Sequence, residues 1–253
     1  MLHVDRRNPR ARELGEALAS RLGSSPLPPG LHIVVGGDGW LLTTLRGHGP
    51  EGIFLGVNAG RVGFLLNDMD EDGSIDRLAL CVKNELLDVY EFPLLQAEIE
   101  LSRGRGSCQT RAVNDIFVER TDGSMALLRV LVDGAPVVDE LACDGIIVAT
   151  ALGSTAYSFS AGGVPSHPMA QALHITPICA HAPRLSPFVL PRESVVEIEV
   201  LRGEHRPVRA FSDGMALGEV QRACVSPSEA SVSLAFLPGH DFTATMVRKI
   251  IKA

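Results

Sequence analysis

Over the first ninety residues the apolar positions alternate between two periods. Ala11, Leu14, Leu18 and Leu22 recur at helical spacing, with Arg12, Glu13, Glu16 and Arg21 between them, which predicts a helix over Arg10 to Leu22. Ser24 to Gly30 carries three prolines and reads as a loop. Leu31 to Val35 is a short, mostly apolar run of the kind that fills a buried parallel strand. A helix is expected from Trp40, a second buried strand from Gly52 to Val57, and another helix from Ile75 to Leu87. Met1 to Val4 makes a meagre first strand. Strand, helix, strand, helix with glycine-rich crossings predicts a small open α/β domain.

Near residue 92 the period falls to two. Leu95, Ala97, Ile99 and Leu101 alternate with Gln96, Glu98, Glu100 and Ser102, the signature of a half-buried strand. Met125 to Val132 and Pro136 to Leu141 flank Asp133-Gly134, a hairpin signal. Ser194 to Leu201 and Ser231 to Leu237 alternate again, and Thr243 to Lys252 returns to a helical pattern. The expected fold is α/β plus β-rich. A small domain, residues 1–91 with 238–253, carries the C-terminal helix back to it, and 92–237 form a larger β-rich domain.

Composition narrows the classes. No stretch reaches the roughly 18 apolar residues of a membrane span, and the N-terminus is charged where a secretory signal would be apolar, so a soluble cytoplasmic protein is expected. The formal net charge is −7 and no dense Lys/Arg stripe occurs, which argues against nucleic acid as a partner. An anionic ligand would have to be held by local features such as backbone amides. The cysteines number five and form no CxxC pair, which fits a reducing compartment. Cys179 and His181 have no second pair of metal ligands near them, so Cys179 reads as a plain buried cysteine and no fixed metal site is expected.

Three stretches stand out chemically. Residues 36–39 read Gly-Gly-Asp-Gly directly after the first buried strand, at the carboxyl edge where open α/β sheets bind ligands. Glycines let backbone N–H groups approach a phosphate. A lone carboxylate there repels phosphate, so its presence implies a chemical role, whether accepting a proton, holding Mg²⁺ or bonding a hydroxyl. A tight turn built from Gly and Asp accounts for the four residues equally well. Asn114-Asp115 alone reads as an Asx turn before a strand. Residues 143–163, CDGIIVATALGSTAYSFSAGG, run a buried strand into hydroxyls, small residues and Tyr157. That suits a planar polar ligand, or a helix capped by Ser or Thr.

Taken together, GGDG, Asn58/Gly60/Gly63/Phe64, Asn114-Asp115, the GSTAY stretch with its flanks, and Ile175 to Cys179 (ITPIC) resemble the NAD kinase family, in that family's order and over most of the chain. GSTAY with its flanks is the specific part, because GGDG alone is shared with related lipid kinases and, loosely, with 6-phosphofructokinases. The resemblance implies phosphoryl transfer from ATP or polyphosphate, with Mg²⁺ or another divalent cation, to the 2′-hydroxyl of the adenosine ribose of NAD. It assigns the general-base role to Asp38, and phosphate contacts to Gly36, Gly37, Gly39, Gly60 and Arg61. NAD contacts fall to Asp38, Gly39, Phe64, Asn114, Asp115, Asp144, Thr155, Ala156, Tyr157 and Ser160. ITPIC resembles a segment that closes the site of a neighbouring subunit, which implies a homodimer or homotetramer.

Five positions depart from the family pattern. Trp40 stands where Thr or Ser is commoner, Asp115 where Glu is usual, Ala142 where some members carry Arg, Ala151 where Pro is usual and Met215 where Gln is frequent. Two other readings stay open: a same-fold kinase for another nucleoside or a lipid, and a non-catalytic NAD-binding protein.

Overall fold

The computed structural model describes residues 1–69 and 71–252. In chain order its first elements are β1 (Leu2–Val4), α1 (Pro9–Leu22), β2 (Leu31–Gly36), α2 (Asp38–His48), β3 (Ile53–Asn58) and α3 (Ser74–Lys83). Strands β4 (Asp88–Leu101), β5 (Ser107–Ala112), β6 (Asp115–Arg120), β7 (Ala126–Val132), β8 (Ala135–Cys143) and β9 (Gly145–Thr150) follow. After them come the short helix α4 (Tyr157–Ser160), β10 (Ala172–Ile178), β11 (Phe188–Pro191), β12 (Val196–Val200), β13 (Val208–Ser212), β14 (Met215–Phe236) and α5 (Phe242–Lys252). The chain forms two compact units, Met1–Phe92 with Ser231–Ala253, and Pro93–Ala230. Among the described residues no helix is long and apolar enough to cross a membrane.

The first unit holds four parallel strands in the order β1-β2-β3-β14, the last contributing Ser233 to Ala235. Asn8 starts α1 by accepting the Ala11 N–H at 3.3 Å, and Pro9 fits the first turn, where no N–H donor is needed. Leu18 and Leu22 of α1 and Leu78 and Val82 of α3 pack with Ile33, Val35, Leu55 and Val57 from one face of the sheet. By strand alternation His32, Val34, Gly36 and Phe54 point to the other face. Helix α3 ends at Lys83, four residues short of the expected Leu87. Glu85 takes a positive φ of 54° there, and the Leu86 N–H closes back on the Cys81 carbonyl at 2.9 Å.

In the second unit the pairs between β4 and β5 and along two ladders, β13-β6-β9-β10-β11 and β8-β7-β12, are antiparallel. Strand β14 joins them, pairing β13 through residues 215–219 and β12 through residues 222–225. The Asp133-Gly134 turn forms as expected, with both residues at positive φ between β7 and β8. Ile116, Val118, Leu128, Val130, Ile146, Val148, Ile198 and Val225 share one buried core. Strands β10, β11 and β13 have no counterpart in the sequence reading, since they lack clean alternation. Ser231 to Leu237 proves to be the end of the long β14.

Candidate active site

The Asp38 carboxylate is gripped by the main chain of another loop. Its Oδ2 accepts the Phe64 N–H at 2.9 Å and its Oδ1 accepts the Leu65 N–H at 3.0 Å. Asp38 is the first residue of α2, two positions before the expected start at Trp40, so the positive end of the helix dipole also faces its charge. Burial pushes its carboxyl above the usual carboxylate range, while the N–H groups of Leu65 and Phe64 and the charge of Lys249 pull it partly back.

The loop that holds Asp38 is itself pinned from several directions. Asn58 donates to the Val62 carbonyl and to Asp68, and accepts the Gly60 N–H at 2.9 Å. Gly63 has φ 66°, and a Cβ on it would fall 2.4 Å from the Asn58 side chain, so only glycine closes this turn. Gly56 leaves room for Leu66, whose Cδ2 would lie 2.2 Å from an added Cβ. Asn67 ties the loop to the ends of β3 and β14 through the carbonyls of Gly56 and Ala235 and the N–H of Leu237.

Lys249, on α5, has no distinguishing sequence context. Its ammonium is buried, donates to the Gly63 carbonyl and pairs with Asp68 at 3.3 Å. Burial lowers its pKa, opposed chiefly by Asp68. Arg248 completes the cluster, at 2.7 Å from the other Asp68 oxygen. The helical pattern near the C-terminus is the one sequence signal that bears on this segment.

The bare glycines divide into two kinds. An added Cβ on Gly36 would meet the Trp40 ring at 2.8 Å, so that space is filled by the indole. Gly37 and Gly39 face open space, with nothing within 4 Å of an added Cβ, and neither has a positive φ. Gly60 lies beside Gly37, 3.5 Å from its Cα by the same measure. Arg61 is exposed and Phe64 is half-buried. The buried Trp40 Nε1 has no hydrogen-bond partner among the described residues, and nothing in the structure explains it.

In the second unit the structure brings Asn114, Asp115 and the GSTAY stretch together. The Asn114 carbonyl accepts the Thr150 N–H at 2.8 Å, and a Cβ on Gly153 would lie 2.1 Å from that carbonyl oxygen. Glycine at 153 is therefore what lets the stretch dock. The Thr150 hydroxyl caps the turn by accepting the Gly153 N–H and donating to Val113. Tyr157 stands edge-on to Phe117 with ring centroids 4.9 Å apart, and Phe117 stacks on Phe211. Thr155 is buried, Ala156 half-buried and Ser160 exposed, while the neighbouring Ser158 bonds to Thr176 inside the unit.

Asp213, which the sequence marks only as a neighbour of Met215, organises this corner. From the β13–β14 turn its oxygens accept the N–H groups of Val113, Asn114 and Asp115 at 2.8, 2.8 and 3.2 Å. Beside it Asp115 is buried, and burial first, then the Asp213 charge, raise its pKa to about 7. The Asn114 side-chain oxygen is buried and has no partner among the described residues, an acceptor of the sort a ligand donor satisfies.

Asp144 sits at the opposite end of β9 from Thr150. Its carboxylate pairs with Arg120 at 2.6 Å. ITPIC forms most of β10, paired with β9 and β11. Cys179 lies past its end, and contrary to expectation it is exposed, with φ 48°. Ala142 and Ala151 are buried and Met215 is exposed.

Residues 113–234 match the ATP-NAD kinase C-terminal domain. An NAD kinase of Cereibacter sphaeroides is 36% identical over 95% of this chain and 94% of its own, and one of Caulobacter vibrioides 34% identical over 90% and 86%. A crystal structure of an NAD kinase from Archaeoglobus fulgidus in complex with ATP superposes with TM-score 0.76 at 25% identity, covering 97% of this chain and 96% of that one. Yeast NADH kinase complexed with NADH shares the fold, with TM-score 0.76 at 24% identity over 88% of this chain and 64% of the yeast chain. Asp38 gripped in the first unit, Asn114 docked against the GSTAY stretch in the second, and identity of this extent along nearly the whole length mean that the chain belongs to the NAD kinase family.

Proposed function

We propose that this protein phosphorylates the 2′-hydroxyl of the adenosine ribose of NAD to give NADP, with Asp38 as the general base. The observation that carries the reading is the Asp38 carboxylate, fixed by one N–H on each oxygen and with its pKa raised by burial. A ribose hydroxyl is a poor nucleophile. A fixed carboxylate of raised basicity orients it and takes its proton as the new O–P bond forms. Each oxygen uses one lone pair on the loop and keeps another for the hydroxyl.

Phosphoryl transfer otherwise needs positioning and neutralisation of charge. Gly37, Gly39 and Gly60 leave their backbones uncovered for phosphate oxygens to approach, and the start of α2 adds its dipole. The divalent cation enters with the nucleotide, held mainly by phosphate oxygens, and neutralises charge on the transferring group. Asn114 and Asp115 would hold polar groups of the dinucleotide, Asn114 through its unpartnered oxygen, with Thr155, Ala156 and Tyr157 lining its pocket.

The test measures NADP⁺ formation from NAD⁺ with Mg-ATP and with polyphosphate, side by side with Asp38→Asn. Turnover with at least one donor, falling by orders of magnitude in the variant, is expected. Full activity in Asp38→Asn would remove the base from the mechanism.

A further inference from the structure

At the other end of β2 from Asp38, three histidines distant in sequence converge. His3 comes from β1, His32 from the start of β2 and His48 from the last position of α2. One ring nitrogen from each lies within 4.8 Å of the others. His3 Nε2 and His32 Nδ1 are already 3.1 Å apart, and those two rings stack at 13° with centroids 5.3 Å apart. The His48 ring stands edge-on to both, with centroids 4.6 and 5.0 Å away. Phe54 stacks on His32 from the neighbouring strand and backs the group with an apolar wall.

The hydrogen bonding sets one tautomer. His48 Nδ1 lies 3.0 Å from the Thr44 carbonyl, and a carbonyl can only accept, so Nδ1 carries the proton and Nε2 keeps a lone pair. An imidazole held by one nitrogen to a backbone carbonyl, with the other free, is the arrangement that supports metal-ligating histidines. Tetrahedral coordination at ~2.0–2.1 Å places ligand nitrogens roughly 3.3 Å apart. The His3–His32 pair is near that spacing, and with all three nitrogens within 4.8 Å of one another a shift of about 1.5 Å or less at the exposed His48 brings in the third donor.

We propose that His3, His32 and His48 form a binding site for a first-row transition-metal dication of the zinc class, with water completing its coordination. Three neutral nitrogen donors with no carboxylate or thiolate select zinc-like ions over Mg²⁺ and Ca²⁺, which require oxygen ligands. The site is separate from the divalent cation that accompanies ATP. His32 and Gly36 are four residues apart on one strand, ~13 Å at ~3.3 Å per residue.

The full chain, stripped with a chelator and kept in excess Mg²⁺, is titrated with Co²⁺ alone while visible absorption is recorded, then with Zn²⁺ by calorimetry. Strong tetrahedral d–d bands saturating at one equivalent, and Zn²⁺ displacing them, are expected. His48→Gln and His32→Gln should each weaken Zn²⁺ binding at least tenfold. Circular dichroism confirms folding, and the exposed His48 gives a variant that keeps the core. Phosphorylation of NAD by metal-stripped His48→Gln in Mg-ATP should match the parent. Absence of tetrahedral bands, or equal Zn²⁺ affinity in parent and both variants, would overturn the site and leave the rings as an aromatic stack.

Discussion

Lys249 donates to the carbonyl of Gly63, one residue before the first of the two N–H groups that grip Asp38. Helix α5 thus helps to set the position of the proposed base through the loop between them. Lys249 also lowers the Asp38 pKa through its charge. Replacing it by Met is expected to raise that pKa further. The carboxylate must be ionised to act as base, so the acid limb of the kcat/KM–pH profile should move to higher pH. Turnover at neutral pH should fall roughly 10–100-fold, and Lys249→Arg should recover part of it. A profile whose acid limb stays in place would show that the lysine acts on loop structure alone.

Asp38→Asn carries a second expected effect. Both carboxylate oxygens accept N–H donors, so the amide NH₂ of an asparagine must face one of them. An unfolding titration should show a loss of about 1–3 kcal/mol, alongside a fall in kcat of roughly 10²–10⁴. Circular dichroism of the folded variant should match the parent.

The glycines separate ligand demands from folding demands. Gly153→Ala drives a Cβ into the Asn114 carbonyl at 2.1 Å, and is expected to cost about 1–3 kcal/mol and to weaken NAD binding. Gly37→Ala meets nothing within 4 Å at an ordinary φ, so stability should hold within about 0.5 kcal/mol. If phosphate approaches that backbone, KM for ATP rises in Gly37→Ala while the melting temperature does not move.

Asp115 makes stability depend on pH in the unusual direction. Its folded pKa of about 7 lies above the ordinary value of 3.8, so between those limits the folded state binds the extra proton. Stability should therefore fall as pH rises from about 4 to 7 and level off above, by at most ~1.4 kcal/mol per pH step of one across that window. Asp115→Asn keeps a neutral side chain throughout. Denaturant titrations at pH 5 and pH 8 should show a smaller loss on going to pH 8 in the variant than in the parent.

The chain's local patterns are readable where a segment's partners are close in sequence. The Leu31–Gly36 strand, α1 and the Asp133-Gly134 hairpin follow from period and turn chemistry. What escapes depends on partners far along the chain. Asp213 reaches Asn114 across about a hundred residues, Lys249 reaches Gly63 across more, and no spacing rule joins His3, His32 and His48. Trp40 makes sense only with Gly36 beneath it: one of the bare glycines accommodates an indole, and Gly37 and Gly39 remain the open pair. The expected length of α3 fails because Glu85 leaves the helix by a left-handed turn that periodicity does not encode.

Strand β14 completes the first unit's parallel sheet from residues 233–235, and Asn67 fastens its end. During synthesis the edge of β3 therefore stays unpaired until residues 233–235 have left the ribosome. Pro93 to Ala230 can collapse while the N-terminal strands wait. Lys249 joins the loop that grips Asp38 only once it has emerged, so a translation product ending before it would leave the proposed base without that support.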